Sequence, residues 1–243
     1  MELEKVLKIG KFINKPNLYI SIGYVNYKMG PKIPLNLKLK KKTQKDVAYA
    51  QDILIGEIYL FFPEAIIHGG TAIWRCYNGN RFSEDIDAYI PKDINKINIF
   101  FNSLEKKGFR IIKKRIKENS IYSEIMIGDT SLRFEATFQI KKASLRKYET
   151  SESFFINIFT LSPEELIIEK VNAYLKRKKI RDLYDIFFLL SYSKKEKEVI
   201  NQLDQLLKNF ESPVDERDLS AIIISGAIPN SKQLLEAIKR WAK

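Results

Sequence analysis

The most informative stretch of this chain is residues 66–87, IIHGGTAIWRCYNGNRFSEDID. An apolar strand is expected to end at Gly69 and Gly70, a short helix follows, and a second strand carries Asp85 and Asp87. Residues i and i+2 of a strand point to the same face, so the two carboxylates should project together. Such an acidic pair is a candidate bracket for a metal ion.

Both halves of this stretch suit a ligand that carries phosphate. Mg²⁺ prefers hard oxygen ligands and combines one or two protein carboxylates with substrate phosphates and water. A glycine pair directly before a helix leaves backbone N–H groups unshielded beside the positive helix end, which attracts phosphate. Arg81, Ser83, Asp85 and Asp87 occupy alternate positions. Four polar side chains on one face of the predicted strand favour a functional site over a solvated strand edge.

The same spacing resembles the nucleotidyltransferase fold of the DNA polymerase β superfamily. It is most similar to the AbiEii/MenT family of toxin nucleotidyltransferases, whose Gly-Gly-Thr-Ala and Arg-x-Ser-x-Asp-Ile-Asp motifs match residues 69–72 and 81–87. The downstream Lys and Arg-Asp-x-x-Asp motif of that family is matched by Lys170 and by residues 181–185. The two motifs together cover about residues 45–192, and the two ends of the chain carry no motif that matches.

The resemblance implies a fold, an activity and a set of ligands. The implied fold is α+β, a nucleotidyltransferase-type mixed sheet with helices followed by a C-terminal helical region. The implied activity is transfer of a nucleoside monophosphate from an NTP to an acceptor hydroxyl with release of pyrophosphate. The implied acceptor is RNA, at a tRNA 3′ end, and the protein would be the toxin of a type IV-like AbiE system with a cognate antitoxin as partner. The implied cofactor is Mg²⁺ or Mn²⁺.

The resemblance also assigns roles to residues of this sequence. The expected nucleotide-binding residues are Gly69, Gly70, Thr71, Arg81, Ser83, Lys170, Arg181 and Asp185. The expected catalytic residues are Asp85, Asp87, Lys170 and Asp182. Two alternatives stay open, namely the same chemistry on a protein or small molecule, and an RNA-binding module on this fold that does not turn over.

A third carboxylate would complete the metal site with Asp85 and Asp87, and Glu135 is the candidate. In residues 131–140, SLRFEATFQI, apolar and polar positions alternate, which predicts a two-faced strand with Glu135 on its polar face. Members of the family more often carry Asp at this point. Glu124 on the preceding predicted strand is the rival candidate.

The second motif block can also be interpreted without the family. If residues 163–190 form one helix, Lys170, Arg177 and Arg181 lie on one stripe that could hold a polyphosphate. Residues 176–179 could instead form a turn between two helices, and an ordinary solvated face is the expectation for Arg177. Lys170 differs because apolar residues surround it, so an anionic partner is expected beside the core.

The composition indicates a globular protein and favours polyanions as its binding partners. A hydrophobic content of 45% argues against disorder, and 243 residues allow one large or two small domains. The formal charge of +12 favours polyanionic partners, although a Lys-rich genome would give the same excess. A single cysteine, Cys76, and a single histidine, His68, exclude an intrachain disulfide and a multi-histidine zinc site. His68 is expected to be structural.

Three parts are predicted along the chain: a basic N-terminal arm (1–43), an α+β nucleotidyltransferase domain (44–160) and a helical domain (161–243) that completes the active cleft. No apolar run approaches membrane-spanning length and the N-terminus lacks a signal-peptide core, so a soluble cytoplasmic protein without membrane contact is expected. The arm ends in a lysine cluster that could bind RNA or be solvated surface, Lys38, Lys40, Lys41 and Lys42. The predicted helices are 43–62, with Thr43 as cap, 93–107, 163–178, 181–191, 194–209, 216–225 and 231–242, and the further predicted strands are 109–117, 120–128 and 131–140.

Overall fold

The structure is a computed structural model, and it describes residues 33–243. The predicted arm therefore lies outside the described residues except for its last eleven positions, 33–43. The helices are α1 (Leu35–Lys38), α2 (Lys42–Phe61), α3 (Gly69–Cys76), α4 (Ile94–Lys106), α5 (Pro163–Arg177), α6 (Ile180–Leu189), α7 (Lys197–Lys208), α8 (Leu219–Ile222) and α9 (Ser231–Ala242). The strands are β1 (Ile66–His68), β2 (Ile86–Ile90), β3 (Phe109–Ile116), β4 (Ser120–Ile127), β5 (Thr130–Phe138), β6 (Ser144–Glu149) and β7 (Phe155–Thr160).

The strands form one mixed sheet in the order β3-β4-β5-β2-β1-β7-β6. The pairs β2·β5 and β1·β7 are parallel, and the other neighbours are antiparallel. The helices that follow β7 make up the C-terminal region. The predicted class, an α+β fold with a mixed sheet and a helical C-terminal region, is confirmed. No helix within residues 33–243 is long and apolar enough to cross a lipid bilayer.

The two larger of the three apolar clusters in residues 33–243 pack against the sheet and leave part of one face uncovered. The first core packs α2 and α4 against one face of the central strands, with Leu54, Phe100 and Phe134 fully buried. The second core joins α3 and the ends of β1 and β2 to the C-terminal helices, and it contains Ile73 and Leu183. Full burial of each such side chain contributes about 1.5–3 kcal/mol. The helical region is thereby fixed beside the strand that carries Asp87.

The local predictions differ in outcome. The helices predicted over 163–178 and 181–191 are confirmed as α5 and α6, because Lys178 adopts a left-handed conformation (φ 52°) and ends α5 before α6 begins at Ile180. One continuous helix over 163–190 does not form. The alternative, a turn between two helices, is what forms. Thr43 does not cap α2, which begins one residue earlier after Lys41 and has no side-chain cap. Residues 216–225 contain a single 3₁₀ turn and the four-residue α8 rather than one regular helix.

The segment from Arg81 to Asp87 is also less regular than expected. Only Ile86–Ile90 pairs as strand β2, and the residues before it form a loop in which Arg81 makes a single bridge to Ile223. The loop turns Arg81 and Ser83 inward, so both are buried. Their alternation with the two aspartates is therefore set by contacts to other elements and not by one strand face.

Candidate active site

The glycine pair allows two segments of the chain to approach each other closely. Gly69 has φ +69°, and a Cβ at this residue would overlap the carboxylate of Asp87. A Cβ at Gly70 would lie 2.6 Å from both Nη2 of Arg81 and Oγ of Ser83. The first turn of α3 is therefore in direct contact with the loop that follows it. The spacing seen in the sequence corresponds to one compact structural unit.

Thr71 and Gln51 hold the backbone of this loop. The Thr71 hydroxyl donates a hydrogen bond to the carbonyl oxygen of Asp85. Gln51, which is fully buried, donates from Nε2 to the carbonyl oxygens of Ser83 (2.9 Å) and Glu84 (3.1 Å). Sequence reasoning missed Gln51, and a polar residue between apolar positions of α2 was the available signal.

Three carboxylates lie near one another on the uncovered sheet face. Asp87 faces Glu135 across the parallel β2·β5 pair, and it faces His68 across β1·β2. We call Asp87 and Glu135 the acid pair. Asp85 is held by Arg133, whose Nε and Nη2 donate to its two oxygens at 3.0 and 2.5 Å. Partial burial raises the pKa of Glu135, and the negative charges of Asp87 and Asp85 add to that effect.

The acid pair has the chemistry of a divalent-cation site. Side-by-side carboxylates offer the hard oxygens that Mg²⁺ and Mn²⁺ prefer, and no residue of the described range forms an ion pair with Asp87. Glu124 lies one strand beyond Glu135 and faces Arg133. Within residues 33–243, no three carboxylate, imidazole or thiol groups converge closely enough to hold an ion as they stand. The ligand set of Asp85, Asp87 and Glu135 stays a prediction.

A buried network of alternating charges joins the first motif to the second. Nζ of Lys170 lies 2.8 Å from Oδ2 of Asp185 and 3.4 Å from Oδ1 of Asp182. Arg81 donates two hydrogen bonds to Asp185 (2.8 and 2.7 Å), and Arg177 donates two to Asp182 (2.7 and 2.8 Å). Burial alone would raise the pKa of Asp185, but Arg81 and Lys170 lower it below its usual value.

This network changes the interpretation of the second motif. The anionic partner expected for Lys170 is present, and it consists of two protein carboxylates, those of Asp182 and Asp185. Arg177, which the sequence analysis expects on a solvated surface, instead binds Asp182. That hydrogen bond and the nearby negative charge of Asp87 raise the pKa of Arg177. Arg181 forms no hydrogen bond or ion pair with any residue that the structure describes.

His68 belongs to a second polar cluster at the end of β1. Its ring stacks on Tyr89 at a centroid distance of 4.1 Å, and its Nδ1 lies 3.1 Å from Oε2 of Glu169. Lys141 donates to the other oxygen of Glu169 at 3.1 Å. Burial would raise the pKa of Glu169, but hydrogen bonds from His68, Tyr89 and Lys141 lower it to about 2. The histidine therefore has structural partners, as expected.

The chain is similar to known proteins in sequence and in fold. A family model described as "Nucleotidyl transferase AbiEii toxin, Type IV TA system" matches residues 53–237. No curated protein matches the sequence. The structure of MenT4, a nucleotidyltransferase toxin from Mycobacterium tuberculosis H37Rv, is similar with a TM-score of 0.58 and 16% identity, over 87% of this chain and 94% of that one. JHP933 from Helicobacter pylori is similar with a TM-score of 0.56 and 20% identity, over 80% of this chain and 90% of that one. These structural likenesses show a shared fold.

Proposed function

The chain belongs to the AbiEii family of nucleotidyl transferase toxins, and on that premise we propose that it transfers a nucleoside monophosphate from an NTP to a hydroxyl group of RNA, at a tRNA 3′ end. The acceptor oxygen forms a bond to the α-phosphorus, the bond from that phosphorus to the bridging β-phosphate oxygen breaks, and pyrophosphate leaves. The proton of the acceptor hydroxyl passes to solvent. The observation that carries this proposal is the acid pair, Asp87 and Glu135, next to Gly69 and Gly70 in the first turn of α3.

The residues around the acid pair divide into those that bind phosphate and those that position others. The backbone N–H groups at the start of α3 bind the triphosphate, since a helix N-terminus attracts anions. Arg81 and Lys170 act as positioning residues, because both are buried and bound to Asp185. Arg177, with 43% of its side chain exposed, is placed to meet phosphate beside the acid pair.

A divalent cation would be held by the acid pair, and Asp85 would join it if Arg133 moved away. Bound Mg²⁺ or Mn²⁺ supplies charge neutralisation at the triphosphate and lowers the pKa of the attacking hydroxyl. The two carboxylates favour catalysis over RNA binding alone, since without a cation they would repel phosphate. A cognate antitoxin is the proposed protein partner, and the type IV toxin–antitoxin description of the family supports it.

The proposal is tested by incubating the protein with Mg²⁺ or Mn²⁺, each α-labelled NTP in turn, and total RNA. Labelled RNA is the expected result, whereas labelled protein or no labelled product would contradict it. Asp87→Asn should lower the rate at least about a hundredfold, the scale of lost electrostatic stabilisation at a reacting phosphate. Asp129→Asn makes the same chemical change in an exposed turn and should leave the rate unchanged.

A further inference from the structure

The acid pair lies at one end of a row of residues that crosses the sheet. The strand register aligns Asp87 with Glu135, Glu135 with Tyr122, and Tyr122 with Arg115. Neighbouring strands lie about 4.8 Å apart, so the row extends about 14 Å from β2 to the edge strand β3. Lys117 follows directly after β3, and its N–H donates to the carbonyl oxygen of Ser120 at 2.8 Å. Cations thus lie at the far end of a path that starts at the acid pair.

A β-bulge turns the cations of β3 toward this path. Ile111 faces Ile125 and Lys113 faces Glu124, so Ile112 is an extra residue in the edge strand. Ile111 packs into the core beneath α4. Strict alternation would place Lys113 on that same core face, but the extra residue moves it, and Arg115 after it, to the open face.

A cleft lies along the part of this row that runs from Glu135 to Arg115. It has a volume of about 280 Å³ and is bordered by Glu135, Tyr122, Thr137, Arg115 and Lys117. This volume is just below the usual range for ligand sites, about 300–1,000 Å³. The cleft is therefore large enough for one monomer of a flexible polymer, but not for the surface of a folded macromolecule.

The charges along the cleft favour an anionic chain. Arg115 and Lys117 are exposed, and neither forms an ion pair with another residue of the range 33–243. Lys113 is shared between Glu124, at 3.8 Å, and the ring of Tyr122, at 5.2 Å. Single-stranded nucleic acids are bound by grooves that combine cations for the phosphates with an aromatic ring on which a base stacks.

We infer that this cleft is the acceptor site, and that it takes a single-stranded nucleic-acid end. The terminal 3′-hydroxyl lies at the acid pair, a base stacks on Tyr122, and the phosphates contact Arg115 and Lys117. This inference rests on the proposed nucleotidyl transfer and names the surface that selects its acceptor. It also explains why Arg115 and Lys117, which form no ion pair within residues 33–243, border the same cleft as Glu135.

The test measures binding of a fluorescein-labelled single-stranded RNA dodecamer by anisotropy over a range of salt concentrations. In Arg115→Ala/Lys117→Ala, the plot of log affinity against log salt should become shallower by about 1.4, at about 0.7 for each lost phosphate contact. Lys106→Ala/Lys114→Ala is the matched control, because it removes two exposed positive charges on the side covered by α4. Its salt slope should equal that of the wild type.

The stacking contact has its own matched pair of variants. Tyr122→Ala should weaken RNA binding about tenfold, whereas Tyr122→Phe keeps the ring and should bind like the wild type. NTP affinity should be unchanged in all four variants, because none of them touches the glycine turn.

Binding needs no turnover, so the two proposals fail separately. A salt slope that depends on Arg115 and Lys117 supports binding of single-stranded RNA in this cleft. Absence of labelled RNA would separately reject nucleotidyl transfer to RNA, and with it the role of the cleft as an acceptor site. Equal slopes in the two double variants would overturn the acceptor site. Duplex RNA that competes as strongly as single-stranded RNA, or labelling of a protein acceptor unaffected by these variants, would overturn it as well.

Discussion

Replacing Asp185 by asparagine should destabilise the protein strongly. The carboxylate is almost fully buried and accepts three charge-assisted hydrogen bonds, two from Arg81 and one from Lys170. Removing one partner of a buried ion pair costs about 3–5 kcal/mol, because the remaining charges stay in a low-dielectric environment. The amide oxygen of asparagine still accepts one hydrogen bond, so we expect a loss of about 3 kcal/mol. For a chain of this length that loss lowers Tm by about 6–12 °C.

The loss can be measured by urea unfolding and by thermal unfolding at pH 7. The control is Glu211→Gln, which removes an ion pair with Lys178 whose carboxylate is 66% exposed. Exposed pairs contribute about 0–1 kcal/mol, so this control should unfold almost like the wild type. An Asp185→Asn variant whose unfolding free energy lies within about 1 kcal/mol of the wild type would refute the reasoning.

The same carboxylate should make stability depend on pH in acid. Burial opposes ionisation of Asp185, but Arg81 and Lys170 outweigh it and lower the pKa in the folded protein. A lowered pKa contributes stability that is fully present above the unfolded value of about 3.9 and is lost as pH falls through the folded value. The difference in unfolding free energy between wild type and Asp185→Asn should therefore narrow below about pH 4. A difference that is constant across this range would contradict the assignment.

Three further substitutions test the site. Gly69→Ala should abolish transfer while circular dichroism shows a folded protein, because the added Cβ overlaps the Asp87 carboxylate and φ is positive; wild-type rates would disprove the close approach. Arg133→Ala should tighten Mn²⁺ binding measured by calorimetry, since it frees Asp85; weaker binding would assign Arg133 a supporting role. Lys170→Ala should lower kcat/KM for NTP and also lower Tm, since two buried carboxylates bind its ammonium group; an unchanged kcat/KM would leave this lysine only structural.

The parts of the fold that could be predicted are those with a local signal. The alternation in residues 109–140 gave three strands whose ends agree with the structure to within about two residues, and the glycine turn followed from its own sequence. Strands β6 and β7 were missed. The edge strand β6 carries Arg146 and Lys147 at neighbouring positions, so no apolar alternation marks it, and its pairing is fixed only by the rest of the sheet.

The site was predictable as a set of residues, but not as a set of contacts. Arg133 holds Asp85, which lies 48 positions earlier in the chain, and nothing in the alternation of its strand indicates that partner. Arg177 was expected on the ordinary solvated face of an amphipathic helix, but it binds Asp182 across the turn at Lys178. Contacts between distant segments depend on tertiary packing, which periodicity in one sequence does not encode.

The buried network accounts for why the two motifs occur together. Three cations, Arg81, Lys170 and Arg177, face two carboxylates, Asp182 and Asp185, so one positive charge is not balanced inside the network. That excess lies beside the acid pair, since the charge of Asp87 raises the pKa of Arg177. The four buried members are held by each other and fix the geometry, whereas Arg177 is partly exposed. A triphosphate entering the site would therefore meet a positive charge already fixed in place, which reduces the cost of ordering that side chain on binding.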